Sequence, residues 1–252
     1  MDRLRNECPW DREQTMESLR NNTIEECFEL TDAILTGDMN EIKKELGDML
    51  LHIVFYSKIA SETGDFDIAD VADAISEKLI YRHPHVFSDT EVSDAAQVSR
   101  NWEALKLKEK DGNKSVLSGV ATGMPALPKA YRIGQKVANV GFDWQKREDV
   151  WAKVKEEIAE VEVEIVAGNH DNLEAEFGDL FFSLTNAARL WGINPDTALE
   201  RTNRKFIKRF NYLESKTIAQ GRKLTDMTLE EMDVYWEEAK KIQDSDKEIK
   251  TP

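Results

Sequence analysis

The chain has 252 residues, enough for one large domain or two of ordinary size, and its 40% hydrophobic and 33% charged content describes a folded protein with a heavily charged surface. A net charge of −15 excludes bare nucleic acid as a partner, because gripping a phosphate backbone needs a basic face; it suits divalent cations that bring a phosphate compound with them. Two cysteines, Cys8 and Cys27, make neither a disulfide framework nor a thiolate metal pair, the first residues hold no apolar secretion segment, and no stretch can span a bilayer, so a cytoplasmic protein without a membrane partner is expected.

Six prolines and twelve glycines leave room for long helices, strand signals are nearly absent, and an all-α fold is predicted. The first hairpin runs from the acidic segment Glu25-Glu26-Cys27-Phe28-Glu29 through a reversal at Thr36-Gly37-Asp38-Met39-Asn40 to a stripe of Ile42, Leu46, Met49 and Ile53, which carries Glu45 and Asp48. Lys78 and Arg82 follow, four apart, and then Trp102 and Lys106 at the same spacing. Glycines, small residues and two prolines collect in Asp111-Gly112-Asn113-Lys114-Ser115 and from Ser118 to Pro128, which reads as a connection. The second hairpin has its stripe at Trp151, Val154, Ile158, Val161 and Ile165, a polar reversal Gly168-Asn169-His170-Asp171-Asn172 in which His170-Asp171 reads as a helix cap, and a second stripe at Leu173, Phe177, Leu180 and Leu184. Lys205 with Arg209 and Trp236 with Lys240 come next, and the tail after Asp244 is expected to fray. The predicted domains are 1–111 and 131–252, joined by 112–130.

The two halves repeat each other. Glu26 and Glu29 correspond to Glu157 and Glu160, and Glu45 and Asp48 to Glu176 and Asp179, all at a constant spacing of 131 with no gap. Lys78 and Arg82 correspond to Lys205 and Arg209, and Trp102 and Lys106 to Trp236 and Lys240, after small changes of register. Carboxylates three apart project from one helix face, so two antiparallel helices can bring four of them to one point. That crowding is relieved by a cation, and oxygen-only ligands select Mg²⁺ or Mn²⁺ over zinc or copper. The basic pairs and the indole rings complement a polyphosphate and a base.

These residues resemble the MazG family of all-α nucleoside triphosphate pyrophosphohydrolases. The resemblance rests on the doubled acid pattern, on Cys8-Pro9-Trp10-Asp11 and Gly141-Phe142-Asp143-Trp144 ahead of the two copies, and on Arg82-His83-Pro84-His85-Val86-Phe87, and it runs from about Cys8 to Lys240. It implies a tandem repeat of two MazG-like helical bundles that hydrolyse nucleoside triphosphates to monophosphate and pyrophosphate, in the control of nucleotide pools. The implied cofactor is Mg²⁺, with Mn²⁺ as a substitute, held by Glu157, Glu160, Glu176 and Asp179 and by Glu26, Glu29, Glu45 and Asp48. The implied substrate residues are Lys205, Arg209, Trp236 and Lys240, with Lys78, Arg82, Trp102 and Lys106 as counterparts. Glu157, Glu176, Lys205 and Arg209 would carry the chemistry, and a homodimer is implied. The second copy has Asn211-Tyr212-Leu213 where the first has its His-Pro-His run.

Rival readings fit less well. Di-iron bundles need Glu-x-x-His, which no histidine here completes, and no GxxxxGK[ST] loop is present. His83 and His85 read as structural. A catalytically silent nucleotide or metal sensor, whose helices serve oligomerisation, is the alternative from another class.

Overall fold

The computed structural model describes residues 1–108 and 115–248, and among them the regular elements are all helical. The chain divides into two compact units, Met1–Trp102 and Glu103–Pro252. In the first, α1 (Asp2–Glu7) and α2 (Pro9–Glu13) precede the long helices α3 (Met16–Thr36) and α4 (Met39–Thr63), followed by α5 (Ile68–Arg82), α6 (Pro84–Phe87) and α7 (Ala95–Lys108), which runs past Trp102. In the second, α8 (Ala126–Ala138), α9 (Arg147–Ala167), α10 (His170–Leu190) and α11 (Pro195–Ala219) lead through a 3₁₀ turn to α12 (Leu229–Glu248).

Three sequence readings shift. The connection read from Ser118 to Pro128 already contains the first turn of α8, while Asp111, Gly112, Asn113 and Lys114 lie outside the described residues. The tail is helical as far as Glu248, and 249–252 lie outside the described residues. The cap of α10 is Asn169, whose side chain accepts from the Asn172 N–H; His170 and Asp171 are already in the first turn.

Both hairpins reverse by the same device. Gly37 and Gly168 end α3 and α9 in the left-handed region, at φ 75° and 70°, where a side chain would be strained. The next residue, Asp38 or Asn169, then caps the following helix by accepting backbone N–H groups that have no partner within it. A stop and a start on adjacent residues fold α4 back on α3 and α10 back on α9.

The sequence picture of hairpins closed through apolar stripes needs correction. Ile158 and Ile165 are 43% and 57% exposed, and Leu46 is 53% exposed, whereas Glu157 and Glu45 are only 5% and 4% exposed. The helical period explains this: Val154, Glu157 and Val161 fall at i, i+3 and i+7, so one face buries the acid between two valines. Glu45 stands likewise between Ile42 and Met49 on α4. In the second unit Val150, Val154 and Ala187 form a core with Leu180 and Leu190, while α8 packs along α10. Gly134 permits that approach, because a Cβ there would stand 2.4 Å from Asn186 Oδ1 and 3.0 Å from Arg189 Nε.

Candidate active site

Each hairpin brings three carboxylates together in the seam between its two helices. In the second, oxygens of Glu157 on α9 and of Glu176 and Asp179 on α10 all lie within 4.8 Å of one another; in the first, those of Glu26 and Glu29 on α3 and Glu45 on α4 do so. The fourth acid differs. Glu160 stands outside the second trio but shares a hydrogen bond with Glu157, and Asp48 stands outside the first trio.

The electrostatics show the strain of this crowding. The shared hydrogen bond with Glu157, followed by burial and the charges of Glu157 and Glu176, pushes the Glu160 carboxyl up from its ordinary value. Burial first, then Glu45 and Glu26, does the same to Glu29. In each seam a lysine neutralises the buried acid from its own helix: Lys153 Nζ lies 2.7 Å from Glu157 Oε1 and 2.9 Å from Glu156 Oε1, and Lys44 Nζ lies 2.9 Å from Glu45 Oε1. Lys153 is held well above the usual lysine range by hydrogen bonds to Glu156 and Glu157.

The donor sets fit a hard divalent cation. Octahedral Mg²⁺ holds oxygens at about 2.1 Å, so ligands on opposite sides stand about 4.2 Å apart, and trios within 4.8 Å need only small side-chain rotations to close on one ion. Glu45 supplies a further sign, since its Oε2 is buried with no hydrogen-bond partner, a costly state that a cation relieves.

In each repeat an arginine of the basic pair lies over a tryptophan, a contact the spacing did not predict. The Arg209 guanidinium lies 5.8 Å from the Trp236 ring centre, and Arg82 lies 5.5 Å from that of Trp102. Phe206 packs on Trp236 at 4.9 Å, while His83 meets Trp102 edge-on at 4.7 Å with its Nδ1 hydrogen-bonded to the Leu79 carbonyl, in keeping with a structural histidine. Lys240 pairs with Glu237, Lys205 and Lys78 are exposed, and Lys106 is half-buried.

Sequence reasoning passed over three features. Lys153 could have been found, since it lies four residues before Glu157 on one helix face. The second is a bidentate ion pair between Asp143 and Arg189, with Oδ2–Nη1 at 3.0 Å and Oδ1–Nη2 at 2.5 Å; the Arg189 hydrogen bond holds the Asp143 carboxyl below the usual aspartate range. The third is a cavity of about 530 Å³ between α8, α9, α10 and the loop at Gly141-Phe142-Asp143-Trp144, lined also by Glu157 and Asp179. Both depend on residues 46 apart in the chain, which no local pattern connects.

Comparison with known proteins agrees with this geometry. The family described as the MazG nucleotide pyrophosphohydrolase domain matches twice, at residues 14–87 and 145–213, and each match holds one carboxylate trio. The chain is similar to the nucleoside triphosphate pyrophosphohydrolase of Escherichia coli K12, 41% identical over 248 residues that cover 96% of this chain and 94% of that one. It is 43% identical over 243 residues to the nucleoside triphosphate pyrophosphohydrolase/pyrophosphatase MazG of Thermotoga maritima, covering 95% and 92% of the two chains. The uncharacterized protein YabN of Bacillus subtilis is 46% identical over 240 residues, covering 94% of this chain and 49% of that one.

Proposed function

The chain belongs to the MazG nucleotide pyrophosphohydrolase family, and we propose that it hydrolyses nucleoside triphosphates to monophosphate and pyrophosphate on carboxylate sites held between paired helices. The observation that carries this reading is the oxygen trio at each hairpin seam, each built around one buried acid, Glu45 or Glu157, whose charge is costly to leave without a cation. Glu157, Glu160, Glu176 and Asp179 would hold Mg²⁺ in the second repeat, with Mn²⁺ as a substitute, and Glu26, Glu29, Glu45 and Asp48 would do so in the first. When bound, the ion neutralises phosphate oxygens and lowers the pKa of water.

The remaining work falls to side chains. A water oxygen attacks the α-phosphorus, the bond from that phosphorus to the bridging oxygen breaks, and pyrophosphate leaves with the bond's electron pair; a cluster glutamate, Glu157 or Glu176, accepts the proton that water gives up. Lys205 and Arg209 offset the charge that develops on the phosphate chain, and Trp236 and Lys240 help to hold the nucleotide, with Lys78, Arg82, Trp102 and Lys106 as first-repeat counterparts. Pyrophosphate release from Mg²⁺ and a nucleoside triphosphate tests the reading: release that stops on chelation and returns with Mg²⁺ is expected, and nucleotide binding without release would leave a sensor instead.

The apolar residues that the hairpins leave outside support a homodimer. Phe28, Ile34 and Leu50 in the first unit and Ile165 and Phe181 in the second are all more than half exposed. Light scattering at micromolar concentrations should give twice the chain mass, and a monomer throughout would refute it. The acidic balance leaves nucleic acid outside the proposed partners, no helix among the described residues is long and apolar enough to cross a membrane, and we place the protein in the cytoplasm, acting on the nucleotide pool.

A further inference from the structure

Arginine and tryptophan meet in both units, but the ring that backs each tryptophan comes from a different position in the chain. Lys78 and Arg82 on α5 relate to Lys205 and Arg209 on α11 by a spacing of 127, and the same spacing relates Leu79 to Phe206 and His83 to Phe210. In the first unit the ring against Trp102 is His83, 4.7 Å away between centres and inclined at 80°. In the second it is Phe206 that stands against Trp236, at 4.9 Å, while Phe210, the counterpart of His83, lies nearly parallel to Phe206 at 6.3 Å. Leu79 has no ring to offer, but its carbonyl accepts the His83 Nδ1–H at 2.7 Å and so orients the ring that serves in its stead. Two sequences that differ at both positions build one arrangement, a guanidinium and a second ring on the same indole.

What this arrangement restrains is the arginine. Arg82 and Arg209 are half-buried, whereas Lys78 and Lys205, one turn earlier on the same helices, are exposed. An arginine side chain has several rotatable bonds, and an unrestrained one loses that freedom at the moment it grips a phosphate. The indole counters this by attracting the guanidinium, since a cation is held over an aromatic ring within about 6 Å of its centre. The second ring in turn occupies the space into which the indole would rotate. Trp102 and Trp236 are themselves half-buried, which makes each a support for its guanidinium rather than an open platform.

We propose that His83 and Phe206 are positioning residues for the hydrolysis, an assignment that rests on the hydrolase reading and deepens it. Each locks a tryptophan, and the tryptophan holds Arg82 or Arg209 where charge develops on the phosphate chain. Neither ring needs to touch the nucleotide to act, because a charged group displaced by about 1 Å already costs up to about 100-fold in rate.

Steady-state kinetics of the full-length protein with Mg²⁺ and a nucleoside triphosphate test this, with both rings changed together so that the result is independent of how turnover divides between the repeats. His83→Leu with Phe206→Leu should lower kcat by about five- to twentyfold and change KM by less than about twofold, since the arginines act on charge that forms in the transition state. His83→Phe with Phe206→Tyr, which keeps a ring at each place, should recover kcat to within about threefold of wild type. In a protein already carrying Arg82→Lys and Arg209→Lys, the leucine pair should cost less than about twofold more, because the group it positions is gone. Recovery by the aromatic pair and loss of the effect in the lysine background separate positioning from a general fault in folding. A raised KM with kcat unchanged would make the rings substrate contacts, and a loss fully additive with the lysine pair would break the link through arginine; either overturns the assignment. A leucine pair as fast as wild type would sink the assignment alone, whereas a wild type that releases no pyrophosphate would remove the hydrolase reading and the assignment with it.

Discussion

The two hairpins share one acid pattern and one reversal, yet they stabilise their seams differently. In the second, the buried acid is Glu157 on α9 and its lysine is Lys153; in the first, the buried acid is Glu45 on α4 and its lysine is Lys44. Above the acids, the second keeps a cavity edged by the Asp143–Arg189 pair, whereas the first closes over a Thr23–His52–Tyr56 network and Phe55. At Arg189's position the first repeat has Lys58, which pairs with Asp2 at 2.9 Å. The difference teaches that duplication preserved what a cation needs, a set of convergent oxygens, and freed the neighbouring space to diverge. Oxygen ligation depends on few atoms near one point, while room for a ring depends on every side chain that borders it.

The largest effect that could break this comparison is on turnover. Glu176→Gln, with helix content unchanged in the far ultraviolet, should remove the second site's share of turnover and Glu45→Gln, at the equivalent position, the first site's share, so that the double variant loses about 10²–10³-fold in kcat. Equal losses would make the two centres functionally alike.

Next in size is the ion pair at the cavity edge. Asp143→Asn should destabilise the second unit by about 1–3 kcal/mol in denaturant unfolding, since it leaves the half-buried Arg189 guanidinium without its charged partner. The pH dependence has a definite sign. The folded Asp143 lies below its ordinary value of 3.8, so the pair's contribution is present above that value and is lost as pH falls through the lower, folded value. Wild type should therefore lose this increment in acid, and Asp143→Asn should not; parallel acid unfolding curves would exclude the pair as a stabiliser.

Smaller still, Tyr56→Phe should cost about 1 kcal/mol through loss of its hydrogen bond to Thr23, with nucleotide affinity unchanged. A measurable loss of nucleotide affinity would tie the first repeat to base recognition. The smallest net effect on stability belongs to Gly134→Ala. A helical alanine contributes about 0.5–1 kcal/mol over glycine, but its Cβ meets Asn186 Oδ1, so stability should change by less than about 1 kcal/mol while nucleotide binding weakens. Unweakened binding would show that the Asn186 amide can move without consequence.

Much of this was legible in the chain. The period of 3.6 along α9 and α10 and the glycine followed by a capping residue fixed the hairpins, and the common spacing of Glu26, Glu45 and Asp48 from their partners marked the candidate metal ligands as a set. The same pattern misled about the interior: Ile158 and Ile165 read as inward from their hydrophobicity, and the structure exposes them while burying Glu157. A helix of two apolar stripes offers either to its partner, and hydrophobicity alone does not choose between them.

The sequence by itself determined the helices, their reversals and which acids belong together, because each of those rests on residues a few positions apart or on a repeat in register. Only the tertiary structure decided which acid is buried, that Asp143 reaches Arg189, and that a cavity stands open beside the second trio. Those outcomes depend on the volumes of side chains brought together from four separate segments, which no local pattern in the chain records.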